Sequence, residues 1–480
     1  MRRTATLVAS ALVALAVAAG CSSSGPPSGG ADAGAGRAAG GSIGDGYYPA
    51  AGNAGIDVTH YALAIRTSPP DPSIRATATL SITATARLRS FHLDFRGLTI
   101  DATQVDGRPA QTRRHGAELV IRPARVIPRG HAFTVRVRYH GAPHTVSDPS
   151  DPNLDIPLGW NRAANGDIWV VSEPVGAQTW YPANDHPADK ATYSIRVDVP
   201  ERLAVASNGH LTLGPVQSGR RVWRWEMAAP MASYLATVVI APMREQTTAS
   251  PAGTPIRNFF PTAGYDGNVR NFAVTGEVLD WFTTVFGPYP FAEYGAVVID
   301  RDLGYALETQ TMSIYGRDML GTDPDGAMTL AHELAHQWFG DSVGIRRWSD
   351  IWLNEGFATY AQYLWQAHAD PTFDLDQFMR NRRAESAADL HRPLDPGPTK
   401  EFTASVYVRG ALALHALRLT VGDAKFFAIL HAWTSEHRHA TATTAQFVAL
   451  AQRISGQPLG KFFAGWLRAD AVPVLPSPAG

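Results

Sequence analysis

Cysteine is almost absent from this 480-residue chain: there is one, Cys21, so no disulfide can form within it. Excess charge is absent too, with a formal net charge of −1, which leaves no electrostatic footprint for a nucleic-acid partner. Only Lys190, Lys400, Lys425 and Lys461 are lysines, so nearly all the basic residues are arginine. Internal repeats are lacking. So is a long hydrophobic run: the most apolar stretch, from about residue 7 to 19, is too short to read as a membrane span. What remains is 45% hydrophobic and 18% charged, too apolar for disorder and long enough for two or three domains.

That short apolar run begins after Arg2 and Arg3 and ends in "AAGC", small residues followed by Cys21. It resembles a bacterial lipoprotein signal over residues 1–21, with Ala18 where leucine is usual, and implies that Cys21 is lipidated and becomes the mature N-terminus. The expected location is the outer side of the cell membrane, through a lipid anchor, with plain secretion as the alternative. Residues 22–46 are rich in Gly, Ala and Ser and read as a flexible linker.

Residues 47–245 read as a β-rich domain. "ATATLSITATARL", "FTVRVRYHG" and "YSIRVDVP" alternate polar or small with apolar residues, and "SPPDPS", "VDGRP" and "SNG" mark turns between such runs. The period changes in residues 246–470. "NVRNFAVTGEVLDWFTTVFG" predicts one helix stopped by "GPYP"; a strand pair follows, from "YGAVVIDR" and the segment around Ala306, and then a series of helices. Residues 471–480 form a proline-rich tail.

Within "LAHELAHQWFGD" two histidines stand four apart. On a helix His332 and His336 share a face and can aim both imidazoles at one metal ion, with Glu333 beside them as a base. Glu355, in "WLNEGFATY" on a separate helical pattern, supplies a third ligand. Two histidines and a glutamate leave the fourth position open, the arrangement of one catalytic zinc per chain, which makes a hydroxide-like nucleophile near neutral pH.

H-E-x-x-H, eighteen residues, then E is the signature of gluzincin metallopeptidases. With "HYALAIR", "EPVGAQTWYPANDHPADKATY", "VASNG" and "FGPYPF", the chain resembles the aminopeptidase N family, which includes the leukotriene hydrolases, over about residues 47–470. The resemblance implies an α+β multidomain fold: a saddle-like β-rich domain, then a thermolysin-like α+β zinc peptidase domain, without the large C-terminal helical domain of many members. It implies that Glu308, in "YALET", and Glu173 hold the free amino group of a peptide substrate. Tyr407, in "VYVRGA", is implied as the hydroxyl that stabilises the tetrahedral intermediate. The sequence departs from the family pattern at Tyr305 (for glycine), Thr309 (for asparagine) and Arg409 (for lysine). The expected function is a zinc aminopeptidase that removes N-terminal residues from peptides. A zinc endopeptidase or epoxide hydrolase of the same fold is the alternative, and a non-catalytic peptide-binding relative would have lost a ligand or base that this chain retains.

Overall fold

Strict alternation builds the first domain. Ile74–Ala84 is buried at every second residue, the period-two pattern of a sheet with one face on a core. In this computed structural model, which describes residues 41–150, 156–321 and 324–477, that strand lies near the middle of an eight-stranded sheet. The order is His210–Gln217, Arg220–Ala232, Lys190–Pro200, Ile56–Thr67, Ile74–Ala84, Ala132–Gly141, Thr99–Val105 and Arg108–Pro109. One neighbouring pair, Ile56–Thr67 with Lys190–Pro200, is parallel, and on its buried face Tyr61 stacks on Tyr193 at 4.8 Å. The expected signal peptide, Cys21 and most of the expected linker lie outside the described residues.

The folded chain begins before Tyr47. Asp45 is 6% exposed; its Oδ2 lies 3.1 Å from His186 Nε2 and accepts the Trp348 N–H at 3.2 Å. The end of the expected linker is therefore fixed between both halves of the molecule.

A five-stranded sheet in the order Ala204–Ser207, Val238–Ala241, Ile168–Val171, Pro157–Arg162 and Val146–Ser147 carries the first domain's share of the site. Ile168–Val171 is buried throughout, and Glu173 follows it after Ser172. Met243–Ala249 does not join these strands but pairs with Pro255–Pro261, so the next sheet starts at Met243. That sheet runs Met243–Ala249, Pro255–Pro261, Ala296–Ile299, Ser313–Gly316, Ala306–Leu307.

Two local expectations need correction. The strands at Ala296–Ile299 and Ala306–Leu307 both exist but do not pair; Ser313–Gly316 lies between them, parallel to the first and antiparallel to the second. The single helix expected from "NVRNF" onward is two, Tyr265–Asn271 and α1 (Thr275–Phe286). Between them the Thr275 hydroxyl donates to the Phe272 carbonyl at 2.7 Å, a local side-chain bond that competes with the helical ladder.

Three further helices frame the site: α2 (Pro324–Ala335), α3 (Trp352–Ala369) and α4 (Ala404–Val421). From Trp352 to Ala361 α3 is buried on every side, as a core helix must be. It meets α4 at a glycine pair. A Cβ on Gly356 would come within 2.9 Å of the Gly410 Cα, and one on Gly410 within 2.7 Å of the Gly356 Cα. Only glycine at both positions lets the backbones approach this closely, which brings Glu355 and Tyr407 to one place. Among the described residues no helix is long and apolar enough to cross a membrane.

Candidate metal centre and active site

His332 lies in the last turn of α2, and His336 follows just past its end, where its N–H still reaches the His332 carbonyl at 3.3 Å. Both rings turn Nε2 to the same point. The two Nε2 atoms are 3.1 Å apart, and Glu355 Oε2, from the first turn of α3, lies 3.3 Å from one and 3.4 Å from the other. A tetrahedral zinc with bonds of about 2.0–2.1 Å needs donors roughly 3.3–3.4 Å apart, so this triangle fits it.

The remaining ring nitrogens are fixed by partners of the right kind. His332 Nδ1 lies 2.8 Å from Gln362 Oε1, and His336 Nδ1 lies 3.0 Å from the Phe339 carbonyl. An acceptor at Nδ1 places the proton there and leaves Nε2 as a lone-pair donor, the tautomer a metal requires. Gln362 was not singled out in the sequence. Its spacing from Glu355, seven residues along α3 and so on the same face, is the signal that finds it. Glu355 is held down at about 2: burial alone would raise it, but the two imidazoles outweigh that.

Glu333 is 7% exposed. Burial drives its carboxyl well above the usual range, with the Glu308 and Glu355 charges adding to burial and His336 opposing it. Its carboxylate, that of Glu308 and the His336 ring all have oxygen or nitrogen atoms within 4.8 Å of one another. Tyr407, from the start of α4, lies nearly parallel to the His332 ring with centroids 6.0 Å apart.

Glu173, Glu308 and Glu355 form a second group within 4.8 Å, so the structure brings together the metal donors and both residues expected at the substrate's amino group. Glu308 is 2% exposed. Its backbone is clamped by the residue after His336: Gln337 Nε2 donates to the Glu308 carbonyl at 3.1 Å, and Gln337 Oε1 accepts the Thr311 N–H at 2.8 Å. From the β-rich domain, Asn208 Nδ2 donates to the Gln310 carbonyl at 2.7 Å. Glu173 Oε1 and Glu308 Oε1 are buried with no hydrogen-bond partner among the described residues. Both carboxyls are raised, first by burial and then by neighbouring carboxylates: Glu308 and Glu355 act on Glu173, and Glu355 acts on Glu308.

Two of the three departures from the family pattern, Thr309 and Arg409, have local explanations. Thr309 donates its hydroxyl to the Met312 carbonyl inside the Glu308 loop. Arg409 is fully buried and points away from the metal, donating to the carbonyls of Trp466 at 2.9 Å and Asp470 at 3.1 Å. It fastens the C-terminal segment to α4.

Two family models match the chain: the peptidase M1 N-terminal domain over residues 58–235, and the peptidase family M1 domain over residues 270–466. The crystal structure of an M1 zinc metallopeptidase from Deinococcus radiodurans, bound to a Tyr-Ser-Ala substrate, superposes with a TM-score of 0.83 at 30% identity. That match covers 91% of this chain and 100% of the other. The chain belongs to peptidase family M1. Its cofactor is zinc, and its two domains are those of M1 metallopeptidases, a β-rich domain followed by the α+β peptidase domain. Longer M1 relatives match over part of their length. Aminopeptidase N of Canis lupus familiaris is 32% identical over 272 residues, covering 50% of this chain and 28% of that protein. Aminopeptidase M1 of Arabidopsis thaliana is 27% identical over 324 residues, covering 63% and 37%. The chain spans less than half the length of these two relatives.

Proposed function

We propose that the protein is a zinc aminopeptidase that removes the N-terminal residue of peptides. The reading rests on one observation above the others: Glu173 Oε1 and Glu308 Oε1 are buried beside Glu355 with no hydrogen-bond partner among the described residues. Unpaired carboxylates in a buried site are costly, and a substrate ammonium relieves them. With the α-ammonium there, the first peptide carbonyl would lie beside His332, His336 and Glu355, the residues that would hold the metal, and cleavage would be confined to one residue from the N-terminus. An endopeptidase, whose substrate presents no ammonium at this point, has no use for this pair.

Zinc, when bound, polarises the carbonyl and lowers the pKa of a coordinated water toward ~7. Glu333 takes the proton from the attacking water and hands it to the departing amine. The Tyr407 hydroxyl donates to the developing oxyanion, where one such donor is typically worth ~3–4 kcal/mol of barrier. Peptides with a free N-terminus should be cleaved at least ~100-fold more efficiently than N-acetylated ones, equivalent to ~2.7 kcal/mol. Efficient internal cleavage of blocked peptides would overturn the aminopeptidase reading.

We further infer that Cys21 carries a lipid and tethers the enzyme outside the cytoplasm. The support is the basic start, short apolar run and "AAGC" of the sequence. Wild-type protein should then sediment with membranes in a bacterial host and Cys21→Ala should not, because the acyl chains are the anchor. Wild type found wholly in the medium would refute the tether.

A further inference from the structure

The eight-stranded sheet of the β-rich domain lays one face on the core and turns the other outward. Strand registers place Arg224, Arg196, Ala64, Thr77, Arg138 and Ala102 side by side in one row across that outer face. In the next row on one side Arg136 stands opposite Thr79 and Gln104, and in the next row on the other side Arg66 stands opposite Arg75. All six arginines are exposed. Like charges directly opposite on a sheet repel, yet Arg196 faces Arg224 and Arg66 faces Arg75. Three acids border them. Asp198 pairs with Arg66 at 3.4 Å and Arg220 at 2.8 Å, Asp101 lies 2.7 Å from His140, and Glu226 accepts the Ser194 hydroxyl at 2.6 Å. The guanidinium groups of Arg75, Arg136, Arg138, Arg196 and Arg224 have no ion-pair or hydrogen-bond partner among the described residues.

We propose that this face docks on a bilayer surface that carries anionic phospholipids. The inference rests on the proposed tether at Cys21, which would hold the folded domains beside a membrane and leave charge to decide which surface turns toward it. Strands lie about 4.8 Å apart, so the row from Arg224 to Arg138 spans roughly 19 Å. That width exceeds one phosphate and suits an array of headgroups. The side chains between the arginines are short, Ala62, Ala64, Thr77 and Thr79, so nothing tall holds the guanidinium groups off a flat surface. Each guanidinium can take a lipid phosphate through two parallel N–H···O bonds, and the phosphates offset the repulsion between opposed arginines. A generally basic chain is not the cause, because the formal net charge is −1. None of the proposed active-site residues belongs to this sheet, so docking and peptide cleavage use separate elements.

The experiment sediments the zinc-loaded chain from Ser22 onward, which lacks the anchor but keeps every described residue, with lipid vesicles. Vesicles of phosphatidylcholine with about one third phosphatidylglycerol should bind it at least ~tenfold more strongly than phosphatidylcholine alone, and added salt should abolish the difference. Replacing Arg75, Arg136, Arg138 and Arg196 together by Gln should lower binding to the anionic vesicles at least ~tenfold. The melting temperature of that variant should not fall, since both opposed pairs lose their repulsion. The same four positions changed to Lys keep the charge and should bind within ~threefold of wild type. Should the fourfold Gln variant not fold, Arg138→Gln and Arg196→Gln singly should each weaken binding, and no effect from either overturns the proposal. Equal binding to both vesicles, binding to neither, or a folded Gln variant that binds like wild type also overturns it. Capture by a soluble acidic polysaccharide without vesicle binding would assign the face to another polyanion and equally overturn the membrane reading. The tested chain lacks Cys21, so a failed tether is seen separately, as full-length protein in the medium whose unanchored form still binds anionic vesicles.

Discussion

At the metal end of the site each imidazole nitrogen that does not point at the shared centre has an acceptor, whereas at the Glu173–Glu308 end two buried carboxylate oxygens have no partner among the described residues. The two ends lie within a few ångströms and share Glu355. Their difference is one of timing. The metal donors are oriented in advance by Gln362 and the Phe339 carbonyl, so binding zinc requires little rearrangement. The carboxylates at the other end are left for a cation that arrives with each substrate. A resident cofactor calls for a satisfied shell, and a transient ligand calls for an unsatisfied one.

The sharpest way to separate the two ends is at Glu333, which borders both. Glu333→Gln should retain zinc at one per chain yet lower kcat by ~100- to 10,000-fold, because the proton acceptor is gone while the donors remain. Glu355→Gln should do the opposite first, losing zinc, since a neutral amide is a poorer ligand than a carboxylate. Metal analysis beside single-turnover rates distinguishes them. Turnover within tenfold of wild type for Glu333→Gln would remove it from the role of base.

At the amine end the expected effect is smaller and selective. Glu308→Ala should lower kcat/KM for free-amine peptides by ~100-fold while leaving N-acetylated peptides nearly unchanged, so the gap between the two substrates narrows. A variant that slows both substrates equally would mean that Glu308 supports the loop rather than the ammonium.

The same contrast governs what could be read from the chain itself. His332, His336 and Glu333 are legible because the helical period alone puts them on one face. Glu355 is nineteen positions further on, and its arrival depends on the Gly356–Gly410 contact, which no local pattern encodes. Glu173, Glu308 and Tyr407 come from three elements and acquire meaning only through the family resemblance. Residues that hold others in place were silent. Gln337 clamps the Glu308 loop, and Lys190 reaches from the β-rich domain to the carbonyls of Asp341 at 2.6 Å and Ser342 at 2.9 Å. In sequence each is one polar residue on a helix or strand. The strand Ser313–Gly316 was missed for a related reason: four buried residues are too few to show a period.

The smallest expected effect concerns a third acid near the amine end. Glu401 is fully buried; burial first, then the Asp45 and Asp148 charges, push it up to about 9, although the Tyr48 hydroxyl donates to it. It therefore stays protonated at neutral pH. A carboxyl whose folded value lies above its unfolded one stabilises the fold fully below the ordinary value of 4.5 and loses that contribution as pH rises toward about 9. In that window the loss from one proton is at most ~1.4 kcal/mol per pH unit. Glu401→Gln mimics the neutral form and has no proton to release. Its melting temperature should therefore fall less steeply than that of wild type between pH 5 and 9, with the two curves drawing together or crossing as pH increases. Parallel curves across that range would show that Glu401 is already ionised in the fold.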